Sequence, residues 1–310
     1  MGKREKTVTR KRLLTLVLLT AIVLSVCAVS APMAHAATTE CATKYPIVLV
    51  HGAGFRDMNV FINYWGRIPA YLQARGAKIY YGNTDGWCSI EQGAADLKRA
   101  VERALAATRA EKVNIIAHSK GGLEARYMIS SLGMAGKVAS LTTISTPHRG
   151  SETMDSILEG VPDFMLRGIG GIGSAVRFVW GDRRPDFYAG ITSIGTANMA
   201  EFNRKNPDMA GVYYQSFAGE LSSGANDFIL AFTRQAVADI EGPNDGMVSV
   251  ESAKWTNFRG VLRGAGNRGV SHLDEVDFRR VDFEMQPILG TTNIRAFYAA
   301  MVAELKQKGY

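Results

Sequence analysis

The sequence predicts an α/β domain with a mostly parallel central sheet, helices on both faces, and three features predict it. Apolar stretches of strand length alternate with amphipathic stretches of helical period through the first half of the chain. The connections between them are short. One apolar run, Val113-Asn-Ile-Ile-Ala117, turns through His118-Ser119-Lys120-Gly121-Gly122 straight into a helical stretch.

Tyr45–Val50 reads as a buried strand, followed by a glycine-containing loop and a helix around Tyr64–Arg75. Lys78–Tyr81 is a second strand, and Ile90–Thr108 carries apolar residues at helical spacing with charges on the other face. Val113–Ala117 is a third strand, Lys120–Ser131 a third helix and Val138–Ile144 a fourth strand. Residues 151–190 break this rhythm. Ile157, Leu158, Val161, Phe164 and Met165 form a helical face interrupted by Pro162, followed by Gly168-Ile-Gly-Gly-Ile-Gly173 and Phe178-Val-Trp180. That segment reads as core packing or as a mobile helical lid over an apolar site. The alternating pattern resumes at Val212–Phe217, with no internal repeat and no second domain, so residues 37–310 are expected to form a single domain.

Residues 1–36 are set apart by a basic head, an apolar run from Leu13 to Val29 and the closing Ala34-His-Ala36. This is the pattern of a signal peptide removed before Ala37, with an uncleaved membrane anchor or a lipoprotein anchor at Cys27 as alternatives. A secreted protein is expected. The head holds six of the 36 Lys/Arg and one of the 29 acids, which leaves 30 basic against 28 acidic residues in the remainder. That near-balance removes the basic stripe a nucleic-acid binder needs. Beyond the head, Cys41 and Cys88 remain, and an even pair in an exported chain suggests one disulfide, with two free buried thiols as the alternative.

Ser119 is the chemically informative residue. A sharp strand-to-helix turn strains its corner residue and demands small neighbours, which Ala117, Gly121 and Gly122 supply. The corner side chain projects from the carboxyl edge of the sheet beside the outward N–H groups of a helix start, a position suited to a nucleophile. The alternative is a simple helix N-cap. A nucleophilic serine needs a base, and the base needs an acid. His118 adjoins Ser119 on the far side of the turn, while His51 and His148 leave no room for the acid in the Ser–acid–His chain order. His272 in Ser271-His-Leu-Asp-Glu275 satisfies that order. Asp245 in Asn244-Asp-Gly-Met-Val-Ser249 is the candidate acid, with Asp239 and Asp227 as rivals. Oxyanion donors are expected from the N–H of Ala53, in the loop after the first strand, and of Lys120.

These segments resemble the secreted bacterial true lipases of the Pseudomonas and Burkholderia type. The resemblance runs from Tyr45 to about Asp282. It is carried by Y-P-I-V-L-V-H-G, N-Y-W-G-R-I-P-A-Y-L, K-V-N-I-I-A-H-S-K-G-G-L-E-A-R-Y, T-T-I-S-T-P-H-R-G-S, N-D-G-M-V-S and S-H-L-D-E-V. It implies an α/β-hydrolase fold, a Ser119–Asp245–His272 triad, and Ala53 and Lys120 as oxyanion donors where the family usually has Leu and Gln. It also implies a structural Ca²⁺ near the base, with Asp274 and Asp227 as carboxylate ligands and backbone carbonyls near Phe278 and Asp282 completing the shell. The family's second-half disulfide has no counterpart, since no cysteine follows Cys88. The implied activity is triacylglycerol hydrolysis at a lipid–water interface; a monomer without an organic cofactor is expected. Relatives differ in whether a dedicated foldase assists them. A carboxylesterase or polyesterase, an amidase or acyltransferase, and a silent binding module on the same fold are the rival readings.

Overall fold

Six strands build one sheet in the order β2-β1-β3-β4-β5-β6, and every neighbouring pair is parallel. The computed structural model describes residues 38–54, 63–160, 167–168, 171, 182–223, 227 and 230–310. The expected signal peptide (residues 1–36) and most of the expected lid, including Pro162, much of the glycine-rich run and Phe178–Trp180, lie outside the described residues.

The strands are β1 (Ile47–Val50), β2 (Ile79–Tyr81), β3 (Val113–His118), β4 (Val138–Ile144), β5 (Tyr213–Glu220) and β6 (Phe258–Arg263). The helices that concern the site are α1 (Ile68–Gln73), α2 (Ile90–Thr108), α3 (Lys120–Ser130), α4 (Glu152–Gly160), α5 (Phe187–Thr192), α6 (Thr196–Lys205), α7 (Ala231–Glu241), α8 (Val250–Ala253) and α9 (Ile294–Gln307). Strand side chains alternate between two cores, as the pleat requires. Ile47 and Leu49 face α1 and α9, where Leu72, Phe297 and Met301 are buried. Val48 and Val50 face α2 and α3, where Leu97, Val101 and Met128 are buried. With both faces covered, β1 is apolar throughout rather than alternating.

The register sets up the site. Val50 pairs with Ala117, and Ile144 pairs with both His118 and Phe217. The loops that leave β1, β3, β4 and β5 therefore emerge together at the carboxyl edge. The strand order reverses between β1 and β3, and such a reversal opens a crevice at that edge.

Two expectations need correction. The helix expected from Tyr64 begins at Ile68, with Pro69 in its first turn, where a missing N–H leaves no bond unmade. Cys41 and Cys88 are not bridged; both are free and buried. The Cys41 thiol points at the Ala299 carbonyl in the core shared with α9. The Cys88 thiol donates to the Asp85 carbonyl at 3.3 Å and lies beside Lys120. Each is held by different elements, and burial first raises both thiols, to about 11 and about 12. Among the described residues, no helix is long and apolar enough to cross a membrane.

Candidate active site

Ser119 joins β3 to α3 with φ 55° and ψ −136°, a left-handed conformation that a residue with a Cβ adopts only under constraint. The constraint is visible. Its N–H donates to the Ile144 carbonyl at 2.9 Å, and its carbonyl accepts from the Gly122 N–H and the Thr146 hydroxyl. The neighbouring glycines are steric necessities: a Cβ on Gly121 would lie 2.4 Å from the His51 carbonyl oxygen, and one on Gly122 would lie 2.1 Å from Thr146 Oγ1. A Cβ on Gly52 would lie 2.6 Å from that of Ser119, so the loop after β1 presses directly on the corner. The Ser119 hydroxyl makes no capping bond to the helix it precedes. The N-cap alternative therefore fails, and the hydroxyl is left for other work.

Ala53, Ser119 and Lys120 line one apolar cavity of about 220 Å³. Its walls include Trp87 from the loop before α2, Ile191 and Ile194 from the segment around α5, and Phe232 and Val237 from α7. Phe232 is 84% exposed and Met247 46% exposed, so the rim presents large apolar side chains to solvent. The Lys120 side chain turns away to a buried ion pair with Glu124, one helical turn on, and approaches Cys88 Sγ at 3.6 Å.

His272 and Asp245 are brought together. His272 Nδ1 lies 2.7 Å from Asp245 Oδ2, and the His272 N–H donates to the Asp245 carbonyl at 2.9 Å. The other carboxylate oxygen accepts from the N–H groups of Met247 and Val248, both at 2.8 Å. Burial acts to raise the Asp245 carboxyl, but His272 and these two N–H groups outweigh it and hold the group below its ordinary range. Of the rival acids, Asp239 bonds an exposed Gln235, and Asp227 pairs with Arg279.

Sequence reasoning placed His118 on the far side of the turn and missed what it does there. Its ring centroid lies 4.3 Å from that of His272. Its Nδ1 is 2.6 Å from the Tyr64 hydroxyl and its Nε2 is 3.0 Å from Glu275 Oε2. Burial first, then His272, push His118 well below its ordinary value, so it is a neutral wall behind His272. Glu275 also accepts from the Ser145 hydroxyl at 2.8 Å, and Ser145 receives the Gly219 N–H. Residues 64, 118, 145 and 275 are far apart in sequence; each lies in a quoted motif, but nothing in the motifs says that they meet. His51 contacts the carbonyls of Gly52 and Thr84, and His148 sits between Arg126 and Thr143.

The expected calcium ligands also converge, but on a cation that the chain itself provides. Asp227 and Asp274 both contact the Arg279 guanidinium, and Asp274 contacts Arg268 as well. Two carboxylates against two guanidiniums form a neutral set, whereas a Ca²⁺ shell needs surplus oxygen charge. Asp282, near which a carbonyl ligand was expected, pairs through its side chain with Arg67 and Arg295. The residues present do not fit the metal.

Comparison with known proteins bears on the fold and the chemistry separately. The α/β hydrolase fold family matches residues 45–170. A triacylglycerol lipase of Burkholderia plantarii is 36% identical over 57% of this chain and 52% of its own length. One from Pseudarthrobacter phenanthrenivorans is 36% identical over 55% of this chain and 56% of its own. The matched region thus spans about half the length of these relatives. Triacylglycerol lipase 2 of Saccharomyces cerevisiae is 28% identical over 80% of this chain and 75% of its own. Among solved structures, a metagenomic carboxyl esterase superposes with TM-score 0.63 at 17% identity, covering 86% of this chain and 76% of that one. The mature lipase of Bacillus licheniformis superposes with TM-score 0.57 at 18% identity, covering 74% and 86%. At such identities the likeness is one of fold.

Proposed function

We propose that this chain is an α/β-hydrolase, a serine hydrolase of carboxylic esters that acts as a triacylglycerol lipase. The observation that carries the reading is the strained Ser119 corner opening, with Ala53 and Lys120, into an apolar cavity rimmed by exposed Phe232 and Met247. An acyl chain is an apolar ligand, and exposed apolar residues at a cavity mouth suit a lipid surface.

In this reading the Ser119 hydroxyl attacks the ester carbonyl, and His272 accepts its proton. Asp245, at Nδ1 of His272, fixes the tautomer and balances the imidazolium. The N–H groups of Ala53 and Lys120 stabilise the tetrahedral oxyanion. Collapse expels the alcohol with the proton from His272 and leaves the acyl group on Ser119. A water, deprotonated by His272, attacks the acyl enzyme; the proton then returns to Ser119 and the fatty acid departs. Residues 151–190 serve as lid and acyl-pocket wall, and residues 1–36 as the export signal of a secreted enzyme. The similarity of the Burkholderia and Pseudarthrobacter relatives, both triacylglycerol lipases, supports the substrate class.

The test is hydrolysis of a long-chain triglyceride emulsion beside a short soluble ester, for the wild type and Ser119→Ala. Preference for the emulsion, with both activities lost in the variant by about 10⁴-fold or more, is the expected outcome. Cleavage of the soluble ester alone makes the protein a carboxylesterase. Activity surviving in Ser119→Ala ends the mechanism.

A further inference from the structure

We infer that the guanidinium of Arg279 stands in for a divalent cation and fastens the segment carrying His272 to the rest of the protein without calcium. Arg279 follows His272 closely in the chain. Its NH1 lies 3.2 Å from Oδ2 of Asp227, which approaches from a separate segment. Its NH2 donates to Oδ1 of Asp274 at 2.7 Å and to the Ser271 hydroxyl at 3.3 Å. Ser271 and Asp274 bracket His272, and they are bonded to each other in both directions: the Ser271 N–H reaches Asp274 Oδ2, and the Asp274 N–H reaches Ser271 Oγ. The guanidinium thus hydrogen-bonds the base's own segment on one side and meets Asp227 on the other as an ion pair without hydrogen-bond alignment.

The planar guanidinium suits this work. Its donors diverge from one rigid plane, so a single charge reaches two carboxylates, as a metal ion would. Arg268 adds a second cation, donating from NH2 to both oxygens of Asp274 at 3.3 and 3.2 Å while its guanidinium lies over the Phe283 ring. The side chains of both carboxylates are almost wholly buried, at 0% and 3% exposure, so they must be neutralised. The two arginines achieve that already. A calcium ion entering this set would have to displace Arg279 and sit against Arg268. Unlike a metal, a covalently attached cation cannot be stripped by a chelator.

The experiment is thermal unfolding of the protein in calcium, in EGTA and in neither, with terbium luminescence as a direct probe of cation binding. These readouts do not depend on which ester the enzyme takes. The expected result is one midpoint in all three conditions, no terbium signal above that of Asp274→Asn, and a midpoint at least about 3 °C lower in Arg279→Ala. If Arg279→Ala does not fold, Arg279→Lys replaces it: the ammonium keeps the charge but loses the fork, and a smaller loss is expected. A wild-type midpoint that rises with calcium and falls with EGTA, the difference vanishing in Asp274→Asn, overturns the inference. So does an arginine variant as stable as the wild type.

Discussion

The two regions that meet at this site are held by different physics. The corner at Ser119 is held by excluded volume: glycines 52, 121 and 122 let three backbone segments approach so closely that a methyl group has no room. The segment from Ser271 to Arg279 is held by charge and hydrogen bonds, through Asp245, Glu275, Arg268 and Arg279. Packing constraints are short-ranged and insensitive to solvent; ion pairs at part-exposed side chains respond to pH and salt. The proposed mechanism gains from that division: Ser119 is strained and fixed, while His272 has to change charge within each turnover.

The largest expected effect breaks the charged region at its catalytic end. Asp245→Asn keeps an acceptor for the Met247 and Val248 N–H groups, so the fold should survive. The amide cannot balance an imidazolium and invites the wrong His272 tautomer. A fall in kcat of about 10⁴-fold on a soluble ester is expected, at a nearly unchanged unfolding midpoint. Retention of activity within tenfold would remove Asp245 from the mechanism. At the corner the prediction inverts. Gly121→Ala pushes a methyl group against the His51 and Val50 carbonyls, which are backbone and cannot swing aside. A stability loss of about 1–3 kcal/mol by urea unfolding is expected. A variant as stable as the wild type would show that the corner is looser than its contacts imply.

The same division decides what was legible in the sequence. The corner presses on distant segments, but the small residues that permit it are consecutive, so Ala117-His-Ser-Lys-Gly-Gly122 announces both the turn and the residue it presents. The central helices and strands followed from periodicity for the same reason; α2 spans the expected Ile90–Thr108. Charge pairing is not local. Nothing near Arg279 says that its partner is Asp227, and nothing near His118 says that Glu275 will meet it. Strand β6 escaped notice because Arg259 and Arg263 alternate along it, paired with Glu304 and Glu220 at the sheet edge. The cysteines misled because parity is a count, and a bridge needs a geometry that the fold does not supply.

A smaller effect should separate the regions by pH. His118 and His148 are both buried and both held well below the ordinary value of 6.5, burial being the first cause in each. In the unfolded chain they bind protons as pH falls through that value, while in the folded protein they do not. Their contribution to stability is thus complete above about 6.5 and is lost progressively as pH falls toward their folded values. Asp245, held low, adds to the loss in the same direction at lower pH. Glu275, in contact with His118 and pushed well above its ordinary range by burial, works in the opposite direction. The His148 contribution is therefore read by difference: stability between about pH 7 and about pH 5 by urea unfolding should fall less steeply in His148→Asn than in the wild type. A slope unchanged by that substitution would assign the pH dependence elsewhere.

The smallest effect is the most discriminating. The side chains of Arg268 and Arg279 are each 24% exposed, so their pairs with Asp274 feel added salt. Raising ionic strength from about 0.1 M to 1 M shortens the screening length from about 10 Å to about 3 Å. Amide exchange in Ser271–Asp277 should then quicken modestly, while Ser119–Leu123, locked by backbone contacts, should keep its rate. Equal acceleration of both segments would mean that they open as one unit, and the separation into a packed corner and an ionic clamp would fail. Acceleration confined to the His272 segment would locate its mobility in the arginine pairs, because the backbone contacts at the corner carry no charge pair for salt to screen.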